Sequence, residues 1–334
     1  MKRIILLFIL PGIFVSVCAQ ISQNRECTTY LKNYSIHDIA NAGDYLWMVT
    51  SDNTMVIKFE KSTGNTVIFN YSDFNIRYGD WITEVECDEH GTPYVGTFVG
   101  SFKMTENNQW VKMHPGGTSD ILISKDDVVW IAHQSELIKY KCDSTSRVFN
   151  LSSDFKFYLF LTSLTEDNEE NLWAVNYNTL IFYGDLVKFD GQNWTTYHMP
   201  EYYNDDFFVP GSGFPKINLK YQFFINDIKI DKHNKIWMSK TKVIHNGELG
   251  TLSNGSRVYP SKSELVSFKD SSWVSFNPPV QTRINSIAPD NESIWCGTNH
   301  GLMQFNNSQW VVFDDVNSAL PSIQINSVLI DDEG

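Results

Sequence analysis

A chain of 334 residues with 42% hydrophobic and 14% aromatic residues, but only 19% charged ones, favours half-buried sheets over long solvent-facing helices. The formal net charge is −13 and no lysine or arginine cluster breaks it, which excludes a phosphate-neutralising surface and removes nucleic acid from the expected partners. No H-E-x-x-H, G-x-S-x-G, Walker or G-x-G-x-x-G pattern occurs, so no cofactor and no metal are expected and no catalytic residue is assigned.

The N-terminus reads Met1-Lys2-Arg3, an apolar run from Ile4 to Val17, then Cys18-Ala19 before Gln20. Charge, apolar core and small residue in that order are the pattern of a secretory signal peptide cleaved after Ala19, which places residues 20–334 in the periplasm or outside the cell. The run falls short of the roughly 20 residues of a spanning helix and contains Pro11-Gly12; no later apolar run is long enough either. Lipoprotein processing at Cys18 would want a small residue before it, and Val17 is not small. Of the remaining cysteines, Cys27, Cys87, Cys142 and Cys296, none forms a C-x-x-C pair. Cys87 and Cys296 sit inside strand patterns, where a small buried apolar residue serves.

From residue 36 the chain repeats itself. Ile36 and Ile39 lead to "YLWMVTS" (45–51); Ile82, Val85, Asp88 and Gly91 lead to "PYVGT" and Trp110. The third copy, "VVWIAHQSELIKY" (128–140), keeps the tryptophan without the leading spacing. Leu161, Leu164, Asp167 and Asn171 precede "LWAV" and "LVKFDGQNWTTY" (186–197), and Ile225, Ile228, Asp231 and Asn234 precede "IWMS" and "LVSFKDSSWVSF" (265–276). Ile284, Ile287 and Asp290 precede "SIWCGTNHGLMQFNNSQWVVF" (293–313). Each copy holds four short β-rich runs separated by turn residues, and Asp followed by Gly or Asn suits the first turn. Four antiparallel strands at this period make a propeller blade, which buries its faces only by stacking on its neighbours. The fold expected is therefore an all-β propeller of six blades plus the start of a seventh. Trp47, Tyr94, Trp130, Trp173, Trp237 and Trp295, one per copy, are expected as wedges between blades rather than as sugar-stacking rings.

The combined motif, I-x-x-I-x-x-D-x-x-G/N-x-x-W-x-G-T-x-x-G-L-x-x-F followed by W-x-x-F, resembles the two-component regulator propeller repeat. That repeat occurs in the extracytoplasmic halves of hybrid sensor histidine kinases and in stand-alone secreted propellers. The resemblance covers nearly all of residues 35–334 and implies carbohydrate signals as ligands; in a sensor it implies a β-sandwich, a membrane helix and a kinase further on. Ile325, Val328, Asp331 and Gly334 reproduce the leading spacing of a seventh copy, so the chain is expected to stop inside a blade, as part of a longer product. "CTTYLKNYS" (27–35) is expected to close the ring as a strand of that blade.

Site candidates come from the links. "DEHG" (88–91), "DNEEN" (167–171), "DKHN" (231–234) and "DNES" (290–293) all fall at one turn of the blade, and turn chemistry explains them better than calcium. His133 and His300 follow second strands, on the face where inner strands begin. "YSDFNIRYGDW" (71–81) brings Arg77, Tyr78 and Trp81 to that face. The long link 198–222 carries Tyr202, Tyr203, Phe207 and Phe208 beside Asp205 and Asp206, the equipment for stacking and hydrogen-bonding a sugar or peptide. A second insertion, 241–265, is expected as a hairpin around Asn254-Gly255 on the same face. The expected function is an extracytoplasmic ligand-binding or sensor propeller for an oligosaccharide or other small ligand. A propeller-type lyase or hydrolase and a protein-interaction scaffold are the alternatives.

Overall fold

The computed structural model describes residues 3–8, 18–19, 30–31, 33–124, 127–141, 145–151, 159–178, 183–199, 221–244, 250–251, 257–258, 261–318, 320 and 322–331. Among them stand six four-stranded antiparallel sheets, each meandering outward from its first strand. The first blade comprises Ile36–Ala42, Tyr45–Thr50, Met55–Glu60 and Thr66–Asn70; the second Ile82–Cys87, Pro93–Thr97, Gly100–Met104 and Trp110–His114. The third runs through Asp120–Ile123, Val129–His133, Glu136–Lys141 and Thr145–Asn150, the fourth through Leu159–Glu166, Leu172–Asn178, Tyr183–Phe189 and Trp194–Tyr197. The fifth has Tyr221–Ile230, Ile236–Ile244, Ser261–Lys269 and Ser272–Phe276, the sixth Ile284–Asp290, Ser293–Thr298, Gly301–Asn306 and Gln309–Phe313. A seventh inner strand, Ile325–Asp331, packs between the sixth blade and the first and closes the ring of inner strands. The protein is a β-propeller.

The repeated residues explain the stacking. Trp47 is buried among Ile82, Val85 and Phe102 of the second blade, and Trp173 among Ile228, Ile236 and Phe268 of the fifth. Trp237 meets Ile284 and Ile287, and Trp295 meets Ile325 and Val328, so each ring wedges its own blade against the next inner strand. On the strand beside it a lysine lies over the ring: Lys58 over Trp47, Lys139 over Trp130 and Lys188 over Trp173, at 5.4, 4.7 and 5.4 Å from the centroids. Gly297 in the Gly-Thr pair is needed for close approach, since a Cβ there would lie 2.8 Å from the side chains of Ile325 and Val328. The following threonine closes the turn, Thr97 and Thr298 each donating to the carbonyl three residues on at 2.8 Å.

The aspartates at the first turn are structural, as the sequence suggests. One oxygen of Asp167 accepts the amides of Glu169 and Asn171, and the other accepts the Trp173 indole N–H at 2.9 Å. Asp231 does the same for its turn and for Trp237 at 2.8 Å. The first and sixth blades use two-residue turns, Gly43-Asp44 and Asn291-Glu292, which shorten the spacing to the tryptophan by one residue. There the indole nitrogens of Trp47 and Trp295 are buried without a partner among the described residues.

A second repeating device joins the inner strands and was not foreseen. A β-bulge follows the first apolar residue of most of them, for example between Ile36 and Asp38, Ile82 and Glu84, and Ile225 and Asp227. Where the bulged residue is asparagine it donates to the first carbonyl of the next inner strand: Asn226 to Ile284, Asn285 to Ile325 and Asn326 to Ile36, at 2.8 to 3.0 Å. The residue after it accepts an amide of the next strand: Asp38 from Val85 at 2.9 Å, Asp120 from Leu164, Asp227 from Ile287 at 2.8 Å and Ser286 from Val328 at 3.2 Å. At the closure Lys61 meets the buried Asp331 at 2.9 Å.

One expectation is corrected. Tyr30, Leu31 and Tyr34 do not form a closing strand: they pack on the outer side of the first blade's core, where Leu31 has a left-handed φ of 52° and a Tyr34-to-Leu31 bond turns the chain. The strand beside Ile325–Asp331 is instead Arg3–Phe8, antiparallel to it, with Cys18–Ala19 beyond. Residues 27–29 and 32 lie outside the described residues. Cys87 and Cys296 are free thiols in half-buried and buried positions, as expected; Cys27 and Cys142 fall outside the described residues.

Candidate functional site

Because each blade is an antiparallel meander, the link from its outer strand to the next inner strand and the link between second and third strands share one face. Backbone bonds tie the two kinds of link together there, Phe98 to Trp81 at 3.0 Å and Asn299 to Arg283 at 3.1 Å. This upper face carries Arg77, Tyr78, Trp81, His133 and His300. Tyr202, Tyr203, Phe207, Phe208 and Asp206 lie outside the described residues. The second insertion continues the fifth blade as two long strands ending in a short ladder, Gly250–Thr251 with Arg257–Val258, which brackets Asn254-Gly255.

The face is not uniform. Tyr78 is 78% exposed, Trp81 49% and Phe98 55%, and the rings pair: Trp81 with Phe98 at 5.3 Å and Tyr71 with Tyr78 at 5.8 Å between centroids. Phe74 from the same link turns inward and packs on Phe102 and Trp110, anchoring the segment that presents them. Phe98 in turn abuts Gly117, whose carbonyl accepts from His133 Nδ1. Tyr78, Trp81 and His133 are thereby gathered at the second and third blades. His300 is exposed at the sixth, its amide bonded to Thr298. Arg77 is exposed and bonds Asp80 through its amide. No hydrogen bond or ion pair among the described residues joins any two of Arg77, His133 and His300.

Below the exposed rings, three residues along the strand from Trp81, the axial channel is lined by carboxylates: Asp38, Glu84, Glu86, Asp120 and Asp227, with Lys229 the cation among them. Burial disfavours the charged forms of Glu84, Glu86, Asp120 and Asp227. Burial first, then the charge of and hydrogen bond with Asp120, then Asp38, hold the Glu84 carboxyl well above the usual range. Burial, against the pull of Lys229, pushes Glu86 up to about 7. Asp120 and Asp227 are raised by burial as well, Asp227 against the opposing pull of Lys229. Lys229, 3.8 Å from Asp227, is raised by that neighbour above all, then by Glu86, Asp120 and Asp38. His114, whose ring centroid lies 5.3 Å from that of His133, is held below the ordinary histidine value by burial and by His133.

No known family's sequence profile matches the chain, and no curated protein does. Solved structures do. The extracellular domain of BT4673 from B. thetaiotaomicron, described as a one component or a hybrid two component system, is 14% identical over 93% of this chain with a TM-score of 0.48. The chain spans 46% of that structure's length. YCF48 bound to D1 peptide is 11% identical, covering 93% of this chain and 94% of its own, with a TM-score of 0.53. A PL25 ulvan lyase bound to -[GlcA(1-4)Rha3S]- is 9% identical over 88% of this chain and 81% of its own, at 0.53. The two likenesses at a TM-score of 0.53 support the fold and carry nothing further.

Proposed function

We propose that this chain is the ligand-binding propeller of an extracytoplasmic sensor and that it takes a carbohydrate on the upper face, over the mouth of the channel. The observation that carries the reading is the exposed paired rings at the second blade, Trp81 with Phe98 and Tyr78 with Tyr71, with Glu84 three residues along the chain from Trp81. Rings of this size left exposed need a partner to cover them, and a sugar ring offers an apolar face to stack on an indole or phenyl and hydroxyls to donate to carboxylates. Residues 1–19 act as the secretory signal peptide, and its removal after Ala19 vacates the edge of Ile325–Asp331 that Arg3–Phe8 otherwise pairs. The repeat resemblance supports the sensor role. For a lyase or hydrolase the sequence offers His133, Arg77, His300 and Asp206; among the described residues no two of the first three are joined, and Asp206 lies outside them.

The test is a glycan array probed with the secreted protein beside its Trp81→Ala and Phe98→Ala variants. Binding of one glycan class that both variants lose, with melting temperatures unchanged, is expected. Blank arrays with folded protein, or binding indifferent to both substitutions, would overturn the reading.

A further inference from the structure

We infer that Arg283, on the upper face where the fifth blade meets the sixth, receives an oxyanion of the bound ligand, a carboxylate or a sulfate, so that the ligand is an acidic oligosaccharide. The inference rests on the carbohydrate reading for the molecule that carries the anion; the anion site itself stands on the geometry around Arg283.

Arg283 ends the link between the outer strand of the fifth blade and the inner strand of the sixth. Its guanidinium is exposed and held. One nitrogen donates to Asn226 Oδ1 at 2.9 Å, and the Asn226 side-chain nitrogen is committed in turn to the Ile284 carbonyl at 3.0 Å and to Thr241 Oγ1 at 2.8 Å. Thr241 shares a 2.7 Å hydrogen bond with Ser263, and both hydroxyls are buried. Because the Ile284 carbonyl only accepts, the amide must turn its nitrogen there and present its oxygen to Arg283. The Arg283 carbonyl accepts the Asn299 amide at 3.1 Å, which ties the residue to the turn that carries His300. A chain of four side chains from two blades therefore positions one guanidinium.

What that guanidinium lacks is a counter-ion. Lys61, Lys229, Lys232 and Lys240 each have a carboxylate within 4 Å, and among the described residues Arg283 has none. Burial holds it below the usual arginine range with no opposing charge to offset that, and its one side-chain partner, Asn226, is neutral. Asparagine orients the group without neutralising it, which leaves the remaining donors of a planar fork for an oxyanion. An anion brought by the ligand recovers the cost of the partly desolvated cation. The local field agrees: at the raised end of the fifth blade Lys242 stands directly opposite Lys262, with Lys240 opposite Glu264, so cations prevail there in a chain of net charge −13. Like charges in facing positions disfavour the sheet, and a bound anion relieves them. The second blade and the boundary of the fifth and sixth lie on opposite sides of a ring of seven inner strands, so a ligand that reaches both Trp81 and Arg283 has more than one sugar ring.

The test compares the exported protein with its Arg283→Gln and Arg283→Lys variants on uronate-bearing oligosaccharides, sulfated oligosaccharides and the carboxyl-reduced or desulfated counterparts of each. Wild type should prefer one acidic class over its neutral counterpart by roughly tenfold or more, and which class it prefers identifies the anion as carboxylate or sulfate. Arg283→Gln should weaken acidic binding roughly 10- to 100-fold and leave neutral binding unchanged. Arg283→Lys keeps the charge and loses the fork; a loss of roughly tenfold is expected, and it keeps the assignment testable if Arg283→Gln fails to fold. Equal binding of acidic and neutral forms by wild type, or acidic binding that neither variant weakens, would overturn the assignment and leave the carbohydrate reading standing. If every glycan fails to bind, that reading falls, and titration with inorganic sulfate and glucuronate at constant ionic strength decides Arg283 alone. A saturable rise in melting temperature that wild type shows and Arg283→Gln lacks is expected; no rise in wild type, or the same rise in both, would overturn the anion site.

Discussion

Asp167→Ala should be among the more damaging single substitutions outside the apolar core. The carboxylate is buried and accepts the Trp173 indole, the Asn171 side-chain amide and two backbone amides. Truncation strands the indole N–H and the Asn171 amide, at about 1–3 kcal/mol for each buried group left unpaired, with water at the turn recovering part of it. A loss of about 2–4 kcal/mol follows, which at roughly 2–4 °C per kcal/mol lowers the melting temperature by about 4–16 °C. Urea unfolding of Asp167→Ala, Trp173→Phe and the double variant at pH 7 separates the indole bond from the turn bonds. A coupling of about 1–2 kcal/mol is expected, and additivity within about 0.5 kcal/mol would refute the claim that the carboxylate holds the ring. The pH dependence has a definite sign. Burial alone would raise this carboxyl, but the bonds from Trp173, Asn171 and Glu169 outweigh it and hold it below its ordinary value. Its contribution is therefore complete above the unfolded value of about 3.9 and is lost as pH falls through the lower folded one, so the cost of the substitution should shrink in acid.

The channel carboxylates behave oppositely. Glu86, raised by burial to about 7, binds a proton in the folded protein across the window from the unfolded value of about 4.3 to about 7, so stability falls as pH rises through it. Glu86→Gln should be more stable than wild type at pH 8 by about 1–3 kcal/mol and no more stable at pH 4; urea midpoints at the two pH values decide it. Asn285→Ala removes the bond to the Ile325 carbonyl and should cost about 1–2 kcal/mol, with limited proteolysis opening the ring first next to the sixth blade. Intact-mass measurement of the exported protein should give an N-terminus at Gln20; a mass that retains residues 1–19 would contradict cleavage after Ala19.

The blades were legible because each depends on residues near one another in sequence. The Ile spacing, the turn aspartate and the tryptophan that it holds report directly on a hairpin and its buried face, as at Asp167 and Trp173. The first copy looks worn because its two-residue turn, Gly43-Asp44, leaves Ala42 where the second, fourth, fifth and sixth copies carry the aspartate, a local rule as well, and the third because it lacks the leading spacing. The channel was in plain view and still missed: Asp38, Glu84 and Asp227 each precede the second apolar residue of their copies, as do Ser286 and Ser327. An alternating pattern would turn those residues from the core face in any sheet, and only the bulge and the closed ring make that side a common axial space. The His114–His133 pair had no local signal, because the two side chains are brought together by packing of one blade on another. The closing strand was misplaced for a similar reason: register along an open edge rewards any run of extended apolar residues, and Ile4 to Phe8 competes better than a segment that turns at Leu31.

Seven inner strands close one ring, and Ile325–Asp331 docks on the first blade through Asn326 and the Lys61–Asp331 pair. Hydrogen exchange over that strand measures it directly. The amides of 325–331 should exchange on the timescale of the sixth blade's inner strand, 284–290, and Asn326→Ala should accelerate the former far more than the latter. Exchange over 325–331 at the rate of an unstructured chain, while 284–290 stays protected, would mean the ring is open and would contradict the fold described.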